Sequence, residues 1–218
     1  MKKIFLIFFC LALTIIFFHN IFLHKIIQYN LQKKIEKKIN IENININFKN
    51  QKLTINNIKI FNDQKFEYES IFFCSEITLD FNFFNLFQKI IYFDEIIFKD
   101  PIIYIEIKEN ETTLEDNISV LEKKKDNYEP KIYQKKENDR NIIFKKVKIL
   151  KPKANLNINK FYKYENLQLS NMNFVNVGNS TDKSQHFKKV FQIILSDIYL
   201  RIPNIDMKKK LKDIYMSK

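Results

Sequence analysis

Few of the side chains that usually do chemistry occur in this sequence, and those few are far apart. The histidines are His19, His24 and His186. A metal site or a histidine-based catalytic triad needs such side chains close to thiolates, carboxylates or a nucleophile. Two of the histidines flank the end of an apolar segment, and the third lies near the other end of the chain. The sequence therefore predicts no metal site and no histidine-dependent catalysis.

Carboxylates and glycines give no better starting point for an enzyme. Asp94–Glu95 and Glu115–Asp116 are neighbours in sequence, and neighbours on a strand point to opposite faces. Gly178 is the only glycine, whereas loops that cradle phosphates usually need several. We therefore expect no enzyme activity, no bound nucleotide and no cofactor.

Charge and cysteine content bear on two further classes of protein. The formal net charge is +12, but Lys, Asn, Ile and Phe recur throughout, as is typical of AT-rich coding, so lysine fills ordinary exposed positions. We expect no nucleic-acid partner. Cys10 lies in an apolar segment and Cys74 just ahead of a strand, so we expect no disulfide bond between them.

The N-terminus has the pattern of a membrane anchor. Lys2 and Lys3 precede an apolar stretch of about 20 residues, which is enough for a helix to span the hydrocarbon core. No small-residue cleavage site follows, so we predict an uncleaved transmembrane signal anchor over residues 1–24. The predicted anchor residues are Ile4, Phe5, Leu6, Phe8, Phe9, Leu11, Ile15, Ile16, Phe17 and Phe18.

The lysines around the anchor bear on its orientation. The lysines that follow the anchor outnumber those that precede it, and by the positive-inside rule this count alone favours a cytoplasmic body. The lysines that follow are Lys25, Lys33, Lys34, Lys37 and Lys38.

Beyond the anchor, the spacing of apolar residues predicts a helix and then strands. Ile27, Leu31 and Ile35 recur at four-residue spacing among Gln and Lys, as on one face of an amphipathic helix. Apolar residues then alternate with polar ones, which is the pattern of a sheet with one buried face. The alternation slips at Asn43 and near Asn57, where we expect a bulge or turn.

The clearest strand pattern covers residues 77–83. Ile77, Leu79, Phe81 and Phe83 share one face, and polar residues occupy the positions between them. This segment predicts a sheet with one apolar and one hydrated side.

Two later segments form an internal repeat of the type strand–proline–strand. Ile96, Phe98, Pro101, Ile103, Ile105 and Ile107 have the same relative spacing as Val147, Ile149, Pro152, Ala154, Leu156 and Ile158. The match favours a sheet extended by similar hairpins, although alternation in an Ile-rich chain can also arise by chance. Residues 109–141, between the two units, are polar and charged and predict a flexible linker or loop.

The C-terminal region predicts two short strands and then helices. We expect a positive φ at Gly178. A helix should follow, capped by Thr181 or Asp182 and ended by Pro203. The Lys-rich end predicts a second short helix. The predicted apolar face of the first helix is Phe187, Val190, Phe191, Ile194, Leu195 and Ile198.

Together these patterns predict an α+β, mainly β chain with an N-terminal transmembrane helix, a one-sided antiparallel sheet and a C-terminal amphipathic helix. The expected divisions are the anchor at 1–24, the amphipathic helix and first β-module at 25–108, the linker at 109–141, and the second β-module with its helix at 142–218.

The order of these elements resembles the AsmA-like family. The segments that carry the resemblance are FNFFNLFQKIIYFDEIIFKDPIIYIEI and LQLSNMNFVNVGNSTDKSQHFKKVFQIIL. In the first, a strand leads through a short turn at 85–88 to strands that end near Pro101; in the second, Asn-Val-Gly precedes a polar stretch and an amphipathic helix. The chain departs from the family at Asn40 and Asn43, where a glycine is usual, in lacking an Asn-Leu pair after the proline segment, and in its short length.

The resemblance implies a sheet curled into a groove, tethered to a bacterial inner membrane with its body in the periplasm, and a part in phospholipid transport or outer-membrane assembly. It implies the membrane, phospholipid acyl chains and other envelope proteins as partners. The residues alone leave open a membrane-tethered structural or interaction protein with a closed core and no lipid. The candidate lipid groove is the sheet face Ile77, Leu79, Phe81, Phe83, Ile103, Ile105, Ile107, Leu156 and Ile158.

Overall fold

The computed structural model describes residues 24–109, 114–118, 141–158, 162–178 and 185–215. All the predicted anchor residues, together with Cys10, His19, Thr181 and Asp182, lie outside these ranges. Within the ranges, no helix is long and apolar enough to cross a membrane.

Three helices and eleven strands occur in the described residues. The predicted amphipathic helix is present as α1, residues 24–35, and both predicted C-terminal helices are present. A 3-10 turn, Phe83–Phe87, joins β3 to β4. The remaining elements are β1 (Ile39–Asn47), β2 (Lys52–Phe61), β3 (Ser70–Phe81), β4 (Ile90–Lys99), β5 (Ile102–Glu109), β6 (Leu114–Asp116), β7 (Asn141–Leu150), β8 (Lys153–Ile158), β9 (Tyr162–Gln168), β10 (Met172–Gly178), β11 (Gln185–His186), α2 (Phe187–Arg201) and α3 (Ile205–Tyr215).

The long strands of the sheet are broken at one level. Asp100 and Pro101 separate β4 from β5, and Lys151 and Pro152 separate β7 from β8. Asp100 and Lys151 have left-handed φ angles of 48° and 51°, so each strand bends where proline removes a ladder hydrogen bond. A short gap between β9 and β10 continues this line of breaks. The sheet consequently curls into an open half-barrel, and the prediction of a mainly β fold with a curled sheet is confirmed.

The breaks divide the sheet into two halves that meet at β3. This strand pairs with β4 over residues 76–81 and with β5 at Phe72 and Phe73. We call β1–β4, β7, β10 and β11 the open half, and β5, β6, β8 and β9 the closed half. The two predicted β-modules thus contribute strands to one continuous sheet.

The internal repeat is real, but its units are parallel neighbours rather than added hairpins. β4 pairs with β7, and β5 pairs with β8, in both cases in parallel. Ile96 is the register partner of Val147, and Ile107 that of Ile158, so equivalent positions lie side by side. The predicted antiparallel sheet is therefore mixed. Parallel strands need a long crossover connection, and residues 100–140 connect β4 to β7 while residues 110–152 connect β5 to β8.

Helices α2 and α3 cover the concave face of the closed half. Ile105, Ile107, Leu156 and Ile158 on β5 and β8 are completely buried beneath them. The helices contribute Leu195, Ile198, Ile202, Met207 and Leu211 to the same cluster. The apolar face of these strands is therefore an ordinary dry core.

Helix α1 covers β1 to β3 in the open half. Its predicted apolar face packs on these strands, and the side-chain amides of Gln28 and Gln32 each donate a hydrogen bond to the carbonyl oxygen of Ile39 at 2.8 Å. The predicted slip in the alternation is also present, because Ile41 and Ile44 are both buried.

The predicted strand 77–83 begins too late and ends two residues too late, because β3 spans Ser70–Phe81. β3 ends at Phe81, and Phe83 lies in the 3-10 turn. The side chain of Asn82 caps this turn by accepting a hydrogen bond from the amide of Phe84 at 2.9 Å. Such a cap competes with the sheet ladder for backbone hydrogen bonds. The strand therefore ends at Phe81, although the alternation of apolar and polar residues continues to Phe83.

Predictions at the glycine and in the linker also need correction. Gly178 has no positive φ; glycine is required there because a Cβ atom would collide with the carbonyl oxygen of Ile142 on β7. Within the predicted linker, β6 pairs with β5, and Asp116, Asn117 and Ile118 are buried. Asn117 Oδ1 accepts a hydrogen bond from the amide of Glu106, and Asp116 Oδ1 accepts one from the amide of Ile118, both at 2.9 Å. The rest of the linker lies outside the described residues.

Candidate functional site, an apolar groove

A groove runs along the concave face of the open half, between α1 and α2. Its volume is about 880 Å³, within the range of about 300–1,000 Å³ usual for small-molecule sites. Every side chain that lines it is apolar. The lining residues are Leu31, Ile35, Ile71, Phe72, Ile96, Phe98, Pro101, Ile103, Ile118, Phe144, Val147, Ile149, Pro152, Met172, Val177, Phe187, Val190, Phe191 and Ile194.

Register partners on β4, β7 and β10 form the floor of the groove. Ile96 pairs with Val147 and Phe98 with Ile149, and Met172 extends this second row onto β10. Because side chains alternate between the faces of a strand, every second residue of these strands points toward the groove. The alternation in the sequence therefore builds the floor directly.

The walls of the groove are helical. Leu31 and Ile35 of α1 line one side, and Val190, Phe191 and Ile194 of α2 line the other. Their spacing places each set on one helix face. Both helices thus direct part of their apolar face at open space.

The groove extends from the strand breaks to an exposed end, which we call the mouth. Pro101 and Pro152 line it at the breaks. Phe144 and Phe187 line it at the mouth, where their ring centroids lie 6.3 Å apart. From Phe144 to Pro152 the backbone advances roughly 26 Å at ~3.3 Å per residue. One acyl chain reaches across about half of the ~30 Å hydrocarbon thickness of a bilayer. The groove is longer than this reach.

The predicted sheet face is only partly in this groove. Ile103 lines it, whereas Ile105, Ile107, Leu156 and Ile158 belong to the closed core. The prediction that these four residues form an open face needs correction, because α2 and α3 lie on their strands.

The other predicted sheet-face residues lie on β3 or beyond it. Ile77 is buried in the cluster under α1. Leu79 and Phe81 are half-buried and do not line the groove. Phe83 is 47% exposed in the 3-10 turn. The floor of the candidate groove therefore lies on β4, β7 and β10, and not on the part of β3 that the sequence suggested.

The predicted apolar face of α2 divides between the two halves of the sheet. Phe187, Val190, Phe191 and Ile194 line the groove. The remaining members, Leu195 and Ile198, are buried in the closed core. One helix thus forms a wall of the groove in its first turns and a lid of the core in its later turns.

Most of the groove floor was not singled out from the sequence. The repeat contains Ile96 and Phe98, but its pattern does not distinguish residues under a helix from residues beside an open space. Phe144, Met172 and Val177 carry no special signal, because single apolar residues in strands are ordinary. The paired positions before each proline are the feature that could have located the floor.

The titratable side chains of interest lie outside the groove. The buried carboxylate of Glu106 accepts hydrogen bonds from the backbone amides of Glu67 and Tyr68 at 2.7–3.0 Å. Burial raises the pKa of Tyr68 to about 12 and that of the Cys74 thiol to about 11, so both groups are neutral near pH 7.

Among the described residues, no group of His, Cys, Asp and Glu is suited to hold a metal ion.

Comparison with known proteins adds no assignment to this geometry. The chain matches no family model, and no curated protein is significantly similar to it. The groove and the order of elements therefore carry the functional interpretation.

Proposed function

We propose that this protein is a membrane-anchored lipid-handling protein of the cell envelope whose groove holds phospholipid acyl chains. The observation that carries this proposal is a space of about 880 Å³ lined only by apolar side chains. Water in such a space finds no polar partners. Acyl chains are well suited to it, because each methylene group gains ~0.8 kcal/mol on leaving water.

The lining also argues for a chain-like ligand rather than a polar metabolite. Sites for specific metabolites usually include a few polar groups that fix the orientation of the ligand. The lining side chains supply none. A lipid meets this constraint because its tail can lie in the groove while its headgroup remains outside in water.

The predicted anchor would hold the groove close to a bilayer. α1 follows residues 1–23 directly and forms one wall. The AsmA-like resemblance adds the inner membrane as the location, the periplasm as the compartment of the body, and phospholipid transport or outer-membrane assembly as the process. The lysine count favours the opposite orientation. A reporter fused after Lys218 is expected to be active in the periplasm, and cytoplasmic activity would contradict this part of the proposal.

Lipid retained by the purified protein tests the groove. The full chain, extracted and washed in mild detergent, is expected to carry phospholipid that mass spectrometry detects. Val147→Phe places a ring on the groove floor and should remove most of this lipid. The matched control is Val175→Phe, because Val175 on β10 is 57% exposed and does not line the groove. Lipid around the anchor is common to both variants, so a difference between them reports on the groove. Equal lipid content in the two variants would therefore contradict acyl-chain binding in the groove.

A structural or interaction protein is the second candidate. The closed half favours it, because a sheet face covered by α2 and α3 needs no ligand. On this alternative, Val147→Phe changes stability without changing lipid content, and chemical cross-linking in cells recovers one specific envelope protein.

A further inference from the structure

The exposed phenylalanines gather at one end of the sheet. Among the described residues, every phenylalanine classed as exposed belongs to this group. Phe84 and Phe87 are the most exposed, at 79% and 71%. The rings of Phe83, Phe84 and Phe87 pack against one another, and exposed apolar surface of this kind is unusual on a protein that meets only water. The group consists of Phe48, Phe83, Phe84, Phe87 and Phe187.

The strand register explains why they meet. The β1–β2 turn, the 3-10 turn, the first residues of β4 and β7, and the last residues of β10 all lie at this end. The pairing of β10 with β11 brings Phe187, the first residue of α2, to the same place. We call this the aromatic end. It includes the mouth of the groove, because Phe187 and Phe144 line that mouth.

The aromatic rings project from a well-defined turn. Asn82 caps the 3-10 turn, and the side chain of Gln51 accepts a hydrogen bond from the amide of Phe83 at 2.9 Å. The rings of Phe84 and Phe87 each lie edge-on to that of Phe83, with centroids 6.3 and 5.3 Å away. The exposed rings are therefore held outward by the backbone, and do not result from a disordered tail.

The charge around these rings is positive. Lys49 and Lys89 flank the two turns and are exposed. The acidic side chain of Asp80 pairs with Lys52 at 3.3 Å, and the 3-10 turn has no acidic residue in its first turn. Exposed aromatic groups beside lysines match the interface of a bilayer that contains anionic lipids.

We propose that the aromatic end docks on an anionic lipid bilayer, with Phe84 and Phe87 entering the interfacial region and the lysines contacting headgroups. A short turn with exposed rings suits a fluid surface, whereas a protein partner needs a complementary face over ~1,000 Å² or more. Docking would place the mouth of the groove against the bilayer. It does not depend on what occupies the groove, so it can hold even if the lipid-handling proposal fails.

Vesicle flotation tests this docking with the full chain embedded in nanodiscs, so that the predicted anchor is already satisfied. Liposomes of phosphatidylcholine with about 30 mol% phosphatidylglycerol are added, and the nanodisc protein that floats with them is measured. Phe84→Ser/Phe87→Ser should lower flotation about tenfold. The matched control is Leu200→Ser/Ile205→Ser, which removes apolar side chains that are 72% and 80% exposed on the helices, and should leave flotation unchanged.

A second variant tests the charge. Lys49→Glu/Lys89→Glu should abolish the preference for phosphatidylglycerol over pure phosphatidylcholine, without altering the circular dichroism spectrum. Equal flotation of the wild type and the phenylalanine variant, or an equal loss in the helix control, would overturn the docking proposal. Groove lipid measured on the detergent-washed wild type and phenylalanine variant separates the two proposals, since the phenylalanine variant should retain it.

Discussion

The two halves of the sheet use the same strand pattern and reach different outcomes. On either side of the breaks, the parallel pairs β4–β7 and β5–β8 present alternating apolar residues in register. In the closed half, Ile107 and Leu156 are completely buried. In the open half, Ile96 and Phe98 keep part of their surface and line a groove.

The difference lies in the helices that cover each half. α2 starts over β10 with Val190 and ends over the closed half with Ile198, where α3 adds Met207 and Leu211. Among the described residues, the open half has only α1 at one side and the first turns of α2 at the other. Alternation in a strand therefore specifies an apolar face, while the elements that follow in the chain decide whether this face is core or groove.

Truncating one isoleucine on each side of Pro101 should give the largest contrast. Ile107→Ala leaves a cavity in a dry core and should lower the free energy of unfolding by about 4 kcal/mol. Ile96→Ala enlarges a space that already exists, so the loss should be about 1–2 kcal/mol. Urea unfolding followed by circular dichroism measures both, since the chain has no tryptophan. Equal losses would mean that the open half is packed like the closed one.

Enlarging a side chain should again cost more stability in the closed half than in the open half. Ala154 is 0% exposed, so Ala154→Phe overpacks the closed half and should lower the free energy of unfolding by about 3 kcal/mol. Val147→Phe fills open space beside α2 and should change it by less than about 1 kcal/mol in either direction. The same urea titrations decide this. A loss at Val147 as large as that at Ala154 would show that the groove has no room for a ligand.

Replacing a carboxylate by an amide should also cost more stability in the closed half than in the open half. Glu106→Gln places an amide donor against the backbone amides of Glu67 and Tyr68, and should cost about 2 kcal/mol. Glu95 in the open half pairs with Lys148 at 2.8 Å near solvent, so Glu95→Gln should cost under about 0.5 kcal/mol. Thermal unfolding of both variants checks this. A harmless Glu106→Gln would mean that the loop at 67–68 is held by other contacts.

Much of the fold was predictable from the sequence because its signals are local. Four-residue spacing located α1, alternation located the strands, and equal spacing around Pro101 and Pro152 identified strands that proved to be register partners. Each of these features depends on the chemistry of a single segment. The predicted site residues that the structure describes could therefore be placed on the right elements, apart from Phe83, which lies in the 3-10 turn.

The groove was less predictable because it depends on contacts between distant segments. Ile105 and Ile96 both lie on strands of the repeat, but Ile105 is buried in the closed core and Ile96 lines the groove. Gly178 was expected to adopt a positive φ, yet a glycine is needed there because the backbone packs closely against β7. Asp116 and Asn117 look like loop residues and are buried because their side chains replace backbone hydrogen bonds. Local patterns do not encode such relations.

The smallest effect should come from Cys74, which shows that the open half also contains a sealed region. Burial raises the pKa of its thiol from 9.0 to about 11, so above pH 9 the unfolded chain releases this proton while the folded chain keeps it. The thiol therefore costs no stability below pH 9 and lowers the free energy of unfolding as the pH rises toward 11, by about 1 kcal/mol at about pH 10. Cys74→Val removes this dependence, and Cys10→Ser in both proteins excludes the other thiol. If the difference between the two urea midpoints does not change between about pH 8 and pH 10, the β3 cluster under α1 admits water, and this part of the open half is not sealed.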